Sequence, residues 1–471
     1  MNLLTSYTLS LKTLINRVVI YRQKDIQIKN YERNIGMNKY IDVNFYLKLQ
    51  KQGLELAFYP LLLISLSASF LFYKYLLQVY PSIMIVDLMG AFKIGGTELG
   101  FLSAFFFYAY VIMQIFSGVL IDNFSVRNLT SGAIFVSALG LLIFSQTDSF
   151  FVANLARIIM GCGAAFATVS YLKMASLLFP ARRFPLLAGV MASAAMLGAM
   201  CGGAPLSLAV LQLGWRTTLI YSSLLGICLS CAVWTFFQRN NIEARESFFQ
   251  INSIFSGLGN VIKNRKNWLV SLYCGFAFTP LNILVSLWGV PFIAEAYNLS
   301  PTGAAKEISF VLIGFMVGAP LIGQLSTYFS RPYNLLIFLN LFSGVSLFFI
   351  VFFSGSLNIY WLRVLFCIFG FSTSSFMVGF SIVKELNHPA LIATAIAFLN
   401  SFEALLSGIS EPLVGFILDC CCRGQVFNSR GVFSVYNYQI SFSILLVYLV
   451  FSLTMLMYLK KLDKIEVKNV L

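Results

Sequence analysis

Hydrophobic runs of about 20 residues recur from one end of the chain to the other, and short polar stretches separate them. A helix rises about 1.5 Å per residue, so a run of that length matches the roughly 30 Å hydrocarbon core of a bilayer. The pattern predicts an all-α membrane protein with twelve transmembrane helices, at residues 57–80, 98–121, 128–147, 150–172, 184–208, 217–237, 267–290, 304–328, 333–354, 359–383, 390–418 and 437–459.

The longest polar stretch between two hydrophobic runs covers residues 238–266 and divides the runs into two sets of six. We therefore predict a cytoplasmic basic tail, an N-terminal six-helix bundle, a cytoplasmic linker, a C-terminal six-helix bundle and a short cytoplasmic tail, at residues 1–56, 57–237, 238–266, 267–459 and 460–471.

The composition agrees with lipid as the solvent, because 59% of the residues are hydrophobic and only 11% are charged, whereas about 25% are charged in soluble proteins. The net charge of +14 does not indicate a nucleic-acid partner, since the Lys and Arg residues lie in loops and tails without interleaved aromatic residues. With the amino terminus inside, that side carries 24 of them and the other side only five. This asymmetry predicts that both termini are cytoplasmic.

An internal repeat relates the two sets of runs. Landmark residues in the second, fourth and fifth runs recur in the second half at offsets of 205, 206 and 207 residues, as the pairs Gly118 and Gly323, Arg157 and Arg363, and Pro205 and Pro412. Parallel duplication of a six-helix bundle is typical of carriers that rock one half against the other around a central site.

A motif follows the second run, Gly118-Val-Leu-Ile-Asp122-Asn-Phe-Ser-Val-Arg127. It resembles the G-x-x-x-D-x-x-G-R-[RK] loop of the major facilitator superfamily, from which Ser125 and Val126 depart. In that family the acid and the base of this loop belong to a cytoplasmic charge network that holds the halves together. The resemblance assigns Gly118, Asp122 and Arg127 to a gating motif; an ordinary basic turn is the alternative.

The fourth run carries Arg157 and Gly161, which resemble the family's R-x-x-x-G-x-G motif and are assigned by that resemblance to the gating motif as well. A charge in an apolar helix costs at least about 2.5 kcal/mol, so Arg157 requires a partner or a water-filled cavity. The second-half copies are degraded, with Cys367 in place of the first Gly and Thr327 in place of the loop Asp. Any second charge lock is therefore weaker.

The superfamily resemblance extends over about residues 57–459 and implies the major facilitator fold, two pseudo-symmetric six-helix bundles. Within it, Leu287-Trp288-Gly289-Val-Pro291 and Glu411-Pro412-Leu-Val-Gly415-Phe-Ile-Leu-Asp419 resemble bacterial permeases of the phagosomal-transporter type and the related lysosomal dipeptide transporters. The resemblance implies a carrier in the bacterial inner membrane that acts as a monomer without a cofactor.

Lys74 lies in the outer part of the first run and is the first candidate for contact with substrate. A lysine at this depth can extend to the outer interface, which is one interpretation. The other is that it faces a central cavity and pairs with a carboxylate or phosphate of the solute.

Two acids of the eleventh run, Glu403 and Glu411, are candidates for proton coupling. A carboxyl group removed from water favours its neutral form and can release a proton when a cavity opens to water. A protonated acid bonded to a neighbouring helix is the alternative. Tyr73, Tyr108, Tyr110, Gln114 and Asn282 are further polar candidates for substrate contact, and Pro280 is expected to interrupt the seventh helix close to Asn282.

The sequence contains one histidine, few acids and short loops, so it predicts neither an enzyme nor a metal site. We expect secondary active transport of a small organic solute by alternating access, with proton symport, and an amino acid, a dipeptide or an organic anion as the favoured substrate. A transporter-like solute sensor and an efflux carrier of drugs or sugars are the alternatives.

Overall fold

The structure is a computed structural model that describes residues 58–179, 184–237, 258–326, 328, 332–388, 391–421 and 433–470. Within these residues there is no β-strand, and twelve helices are long and apolar enough to cross a membrane. They are α1 (Tyr59–Ile83), α2 (Gly96–Gly118), α3 (Val126–Gln146), α4 (Phe150–Leu178), α5 (Gly189–Leu213), α6 (Trp215–Phe236), α7 (Arg265–Tyr297), α8 (Pro301–Ser326), α9 (Tyr333–Phe353), α10 (Ile359–Leu386), α11 (Thr394–Cys421) and α12 (Val435–Asp463).

The fold class, all-α with twelve membrane helices, is thereby confirmed, and each helix end lies within seven residues of the predicted position. The helices differ in how far protein encloses them. In α7 the protein buries 94% of the most apolar stretch, whereas α6 and α12 bury only 33% of theirs. Helix α7 is thus a central helix, and α6 and α12 form part of the lipid-facing surface.

The α-helix of the first part of α7 runs through Pro280 without a break, contrary to the expected interruption. Proline removes one backbone donor, and the irregularity appears four residues later, as a π turn at Leu284–Trp288. The regular α-helix resumes at Gly289–Tyr297. Such π turns are rare and occur often at functional sites.

Two faces of the molecule are named by the helix ends they contain. The side where α2 ends and α3 begins is the mouth side, and the side where α1 ends and α2 begins is the sealed side. On the sealed side the halves touch closely, because a Cβ on Gly100 of α2 would lie 2.5 Å from Cα of Pro412 in α11. A second contact joins α5 to α8, where the hydroxyls of Ser207 and Thr302 are 2.8 Å apart.

The two contacts are equivalent to each other under the repeat, because α2 corresponds to α8 and α11 corresponds to α5. The first contact joins α2 to α11, and the second joins α8 to α5. The repeated landmarks indeed occupy equivalent helices, Gly118 and Gly323 in α2 and α8, Arg157 and Arg363 in α4 and α10, and Pro205 and Pro412 in α5 and α11. The packing of one half against the other thus follows the internal repeat.

Candidate functional site

A cavity of about 700 Å³ lies between the two halves. On the sealed side it ends at the side chains of Gln78 and Asn282, where Nε2 of Gln78 donates to Oδ1 of Asn282 over 2.7 Å. Towards the mouth side it reaches Gln324 and the exposed Lys384. The cavity therefore has one closed end and one end that approaches the surface.

Helix α1 presents four residues to the cavity, Leu71, Lys74, Tyr75 and Gln78. Their spacing of three, four and seven residues places them on one helix face. The Lys74 side chain is 6% exposed, and its Nζ lies 3.7 Å from the ring centroid of Tyr75 and 5.0 Å from that of Tyr110. The structure thus directs Lys74 into the cavity rather than to the outer interface.

Helix α11 contributes the acid of the cavity. Ile396, Asn400, Glu403 and Ala404 share one face of that helix and line the cavity. Glu403 lies within electrostatic range of Lys74 on the opposite half. One ammonium and one carboxyl group, each from a different half, therefore share a single compartment.

Aromatic and aliphatic side chains form most of the remaining wall. Phe106 and Phe107 come from α2, and Phe278, Phe315 and Phe376 from the second half. Apolar walls with a few convergent polar groups are the usual composition of a small-molecule site. The arrangement can hold a solute that has an apolar part and at least one charged group.

The structure places the other predicted substrate residues at different points. Asn282 and Tyr110 line the cavity, and Tyr73, Tyr108 and Gln114 do not. Tyr73 follows Leu71 by two positions, which rotates it away from the cavity face, and its hydroxyl packs against Gly226 of α6. Tyr108 donates to the carbonyl of Gly408 in α11 over 2.9 Å. Gln114 is buried at 1% exposure.

Two residues of the cavity, Tyr75 and Gln78, were not among the residues predicted for the site. Each is on the same face of α1 as Lys74, at one and four positions beyond it. The helical spacing around a single charged residue was the signal that could have identified them.

The predicted gating motif lies on the mouth side. Nothing lies within 4 Å of a Cβ built on Gly118. The guanidinium carbon of Arg127 lies 4.2 Å from the ring centroid of Trp234 in α6. The side chain of Asp122 and the residue Thr327 fall outside the described part of the structure, so the predicted charge network and the weaker second lock remain predictions.

Arg157 is fully buried, and it has the partners that a buried charge requires. Its guanidinium donates to the backbone carbonyls of Leu77, Leu102 and Ser103 over 2.9 to 3.2 Å. These acceptors belong to α1 and α2, so a single side chain of α4 joins three helices. Gly161 lies one turn further along α4, where a Cβ would come 2.2 Å from the carbonyl oxygen of Phe106. Both motif residues thus serve close packing of the first half.

Glu411 occupies the sealed side rather than the cavity. It is fully buried, its Oε1 accepts from the Ser286 hydroxyl over 2.5 Å, and its backbone carbonyl accepts from the Trp288 indole over 3.1 Å. Ser286 and Trp288 both belong to the π turn of α7. The two predicted coupling acids therefore lie in different environments, one at the cavity and one in the seal.

A third acid of α11 closes the edge of the sealed side. The Asp419 carboxylate accepts from the backbone amides of Gly96 and Thr97 over 2.9 and 2.7 Å and from the Thr97 hydroxyl over 2.5 Å. These amides are the unpaired donors at the start of α2, where a carboxylate is favourable. An acid of the second half thus caps a helix of the first.

The described residues contain no group of three or more His, Cys, Asp or Glu that could hold a metal ion. Two six-helix halves thus enclose one central cavity, which is closed on one side and bridged there by hydrogen bonds, an arrangement typical of membrane carriers.

The chain belongs to the Major Facilitator Superfamily, whose family model matches residues 62–411. It is therefore a transporter of a small molecule and not an enzyme, and it is a multi-pass membrane protein. An uncharacterized transporter of Bacillus subtilis (strain 168), YybO, is 23% identical over 386 residues, which cover 75% of this chain and 86% of that protein.

Two solved structures show the same fold. A bacterial homologue of the human lysosomal transporter Spinster, inward-facing and unoccupied, has a TM-score of 0.69 and 13% identity, and the match covers 86% of this chain and 97% of that one. The nucleoside transporter NupG has a TM-score of 0.65 and 16% identity over 86% of this chain and 99% of its own.

Proposed function

We propose that the protein works by alternating access as a proton-coupled symporter of a small organic solute that carries a carboxylate, such as an amino acid, a dipeptide or an organic anion. The observation that supports this most is the position of Lys74, whose ammonium group is buried against two tyrosine rings in the central cavity. A buried cation is costly unless an anion or an aromatic face balances it, and a solute carboxylate in this cavity would do so.

Glu403 is the leading coupling group in this proposal, because it shares the cavity with Lys74 and lies on the other half. When the cavity holds water, the carboxyl group can exchange a proton with it; when the cavity closes, the neutral acid is favoured. Glu411 is the second acid available for coupling.

The orientation follows the predicted charge asymmetry, with the mouth side and both termini in the cytoplasm. The membrane in this proposal is the inner membrane of a bacterium, in agreement with the relative from Bacillus subtilis. The protein acts as a monomer, since one chain supplies both walls of the cavity. In this orientation the structure is inward-facing, with the seal on the outer side.

A solute screen tests the substrate class. Purified protein in liposomes is loaded with an unlabelled amino acid, dipeptide, organic acid or sugar, and counterflow of the labelled solute is measured. We expect saturable counterflow for carboxylate-bearing solutes, its loss in Lys74→Gln, and normal activity in the control Lys306→Gln, which removes an exposed lysine outside the cavity.

The same screen separates the alternatives. Binding in a thermal-shift assay without any counterflow would identify a sensor, and counterflow of sugars or drugs only would contradict the proposed substrate class. Full activity of Lys74→Gln would contradict the role of the lysine.

A further inference from the structure

Helix α11 carries three acids at intervals of eight residues, Glu403, Glu411 and Asp419. Eight residues advance a helix by about 12 Å and turn it by about 80°, so the acids lie at successive levels from the cavity to the sealed rim. Each faces a positive or donor group of the first half, respectively Lys74, Ser103 with Arg157, and the start of α2. The middle level differs from the other two because it is closed to both the cavity and the rim.

We propose that Glu411 is a proton-binding site of the sealed-side gate, separate from the solute cavity, and that this gate closes only when Glu411 is protonated. The proposal rests on alternating access as proposed above, and it adds a regulation of the gate that does not depend on solute.

The surroundings of Glu411 fit a neutral acid in the closed gate. One carboxyl oxygen accepts from Ser286, and the other, Oε2, is buried and has no hydrogen-bond partner among the residues that the structure describes. A carboxylate removed from water needs several donors to offset its lost hydration, and the two neutral hydroxyls that face Glu411, those of Ser286 and Ser103, do not supply them. A neutral acid carries a smaller cost and can direct its own hydroxyl to Ser103, which faces the same group.

The groups that act on the charge of Glu411 come from each element around it. Arg157 of α4 is the facing cation, but its guanidinium already donates to three backbone carbonyls of α1 and α2. From α2, the hydroxyl of Tyr108 is the titratable group that faces Glu411. From α7, the uncharged side chains of Ser286 and Trp288 face it. Asp419, two turns along α11, already accepts hydrogen bonds from the backbone amides at the start of α2.

Gate opening must uncover this site. Ser103 and Gly100 belong to α2 of the first half, and Glu411 and Ser286 belong to the second half. A Cβ on Gly100 would lie 2.6 Å from the carbonyl oxygen of Glu411, so the two helices touch at this point while the gate is closed and leave no room for water there. Separation of α2 from α11 exposes the acid to water on the sealed side, where it loses its proton to that water. Closure takes the proton back from the same water.

The sign of the pH effect follows. If the closed gate holds the neutral acid, acid medium on the sealed side favours closure and alkaline medium favours opening. One coupled proton permits a change of up to about tenfold in the ratio of open to closed protein per pH unit.

The test measures gate opening directly, without transport. In a background with all nine native cysteines replaced, Ser207→Cys places a thiol at the α5–α8 contact, where Ser207 is 3% exposed. A membrane-impermeant maleimide is applied from the sealed side between pH 5.5 and 8.5. Because the thiol reaction itself depends on pH, rates are divided by those of Lys306→Cys, an exposed position near the same end of α8.

We expect the normalised labelling rate to rise with pH, and Glu411→Gln, which mimics the neutral acid, to give a low rate that no longer changes with pH. Asp419→Asn, the matched control on the same helix, should raise the rate at every pH but keep the slope, because it weakens the rim without removing the titrating group.

A pH-dependent rate in Glu411→Gln like that of the parent, or a flat rate in the parent itself, would overturn the proposal. So would a slope that disappears in Asp419→Asn, since Asp419 would then be the titrating group. In Glu403→Gln the slope should remain. If Glu403 proves to have no part in proton coupling while the Glu411 slope persists, the proposed coupling fails and the gate site stands.

Discussion

The two halves hold equivalent arginines in different ways. Arg157 in the first half is fully buried and donates to backbone carbonyls. Arg363, its counterpart in the second half, makes two 2.8 Å bonds to the Glu307 carboxylate of α8, and its side chain is 29% exposed. The repeat has thus conserved the position of the charge but not its partner, so function cannot be transferred from one half to the other by position alone.

The glycines next to these arginines differ in the same sense. In the first half the small residue is on α4, where Gly161 faces the carbonyl of Phe106 in α2. In the second half α10 has Cys367, and the small residue is Gly314 on α8, whose Cβ would lie 2.1 Å from the Cys367 carbonyl. The close approach of the two helices is retained. At the position of Cys367 the glycine comes from α8, and Gly370 of α10 makes a further close contact, with a built Cβ 1.9 Å from the Val311 carbonyl oxygen of α8.

The largest expected effect comes from the arginines. Arg157→Gln removes the guanidinium hydrogen bonds to backbone carbonyls of α1 and α2, and hydrogen bonds from charged donors contribute about 1.5–3 kcal/mol each. We expect the free energy of unfolding to fall by about 3 kcal/mol or more. This would be visible as a large decrease in the melting temperature of the detergent-solubilised protein. Arg363→Gln should lower the melting temperature much less, because the Arg363 side chain is 29% exposed and water screens its ion pair with Glu307. Equal losses in both variants would contradict the difference between the halves.

The next effect tests the exchanged glycines. Gly161→Ala and Gly314→Ala each push a methyl group against a backbone carbonyl of the neighbouring helix, which should cost about 1–3 kcal/mol in overpacking. Cys367→Ala should be almost neutral. The control is Gly132→Ala in α3, where nothing lies within 4 Å of the new Cβ. If Gly314→Ala were as mild as this control, the small residue of the second half would have to be sought elsewhere.

A smaller effect concerns the hydrogen bond that joins the halves at the sealed end of the cavity. Gln78→Leu removes the 2.7 Å bond to Asn282, which should weaken the closed gate by about 1 kcal/mol and raise the labelling rate of Ser207→Cys about fivefold. Ser343→Ala, which breaks a bond to Thr373 within the second half, should leave labelling unchanged. Similar labelling of both variants would exclude a specific role of the Gln78 bond.

The smallest effect concerns the ring beneath Lys74. Tyr75→Phe keeps the aromatic face 3.7 Å from the ammonium, so the KM for the transported solute should change less than about twofold. Tyr75→Leu removes the face, which is equivalent to about 1 kcal/mol and a change of roughly fivefold. Equal KM values in the two variants would show that the ring does not stabilise the cation.

Much of the fold could be predicted, because the length and hydrophobicity of a segment are enough to identify a membrane helix. The ends of α7 and the position of its irregularity could not, since a π turn after Pro280 depends on packing around Trp288 and Glu411. The internal repeat predicted equivalent helices correctly. It did not predict the exchange of glycine between Gly161 and Gly314, because a close contact needs one small residue and either helix can provide it.

Part of the site was predictable, because a charged residue inside a membrane helix is costly and therefore indicates a functional position. Lys74 and Glu403 were identified on that ground and line one cavity. Tyr73 was preferred to Tyr75 without knowledge of helix rotation, and a shift of two positions turns a side chain by about 200°. The pairing of Asp419 with the start of α2 joins residues more than 300 positions apart, which no local pattern reveals.

The central claim is that Lys74 from the first half and Glu403 from the second act on one solute and one proton. It is tested most directly by uptake of a solute identified in the counterflow screen, with and without an imposed proton gradient, in the parent, Lys74→Gln and Glu403→Gln. We predict that the parent accumulates solute only with the gradient, that Lys74→Gln loses both accumulation and counterflow, and that Glu403→Gln keeps counterflow but loses accumulation. Accumulation in Glu403→Gln that still follows the gradient would contradict the claim.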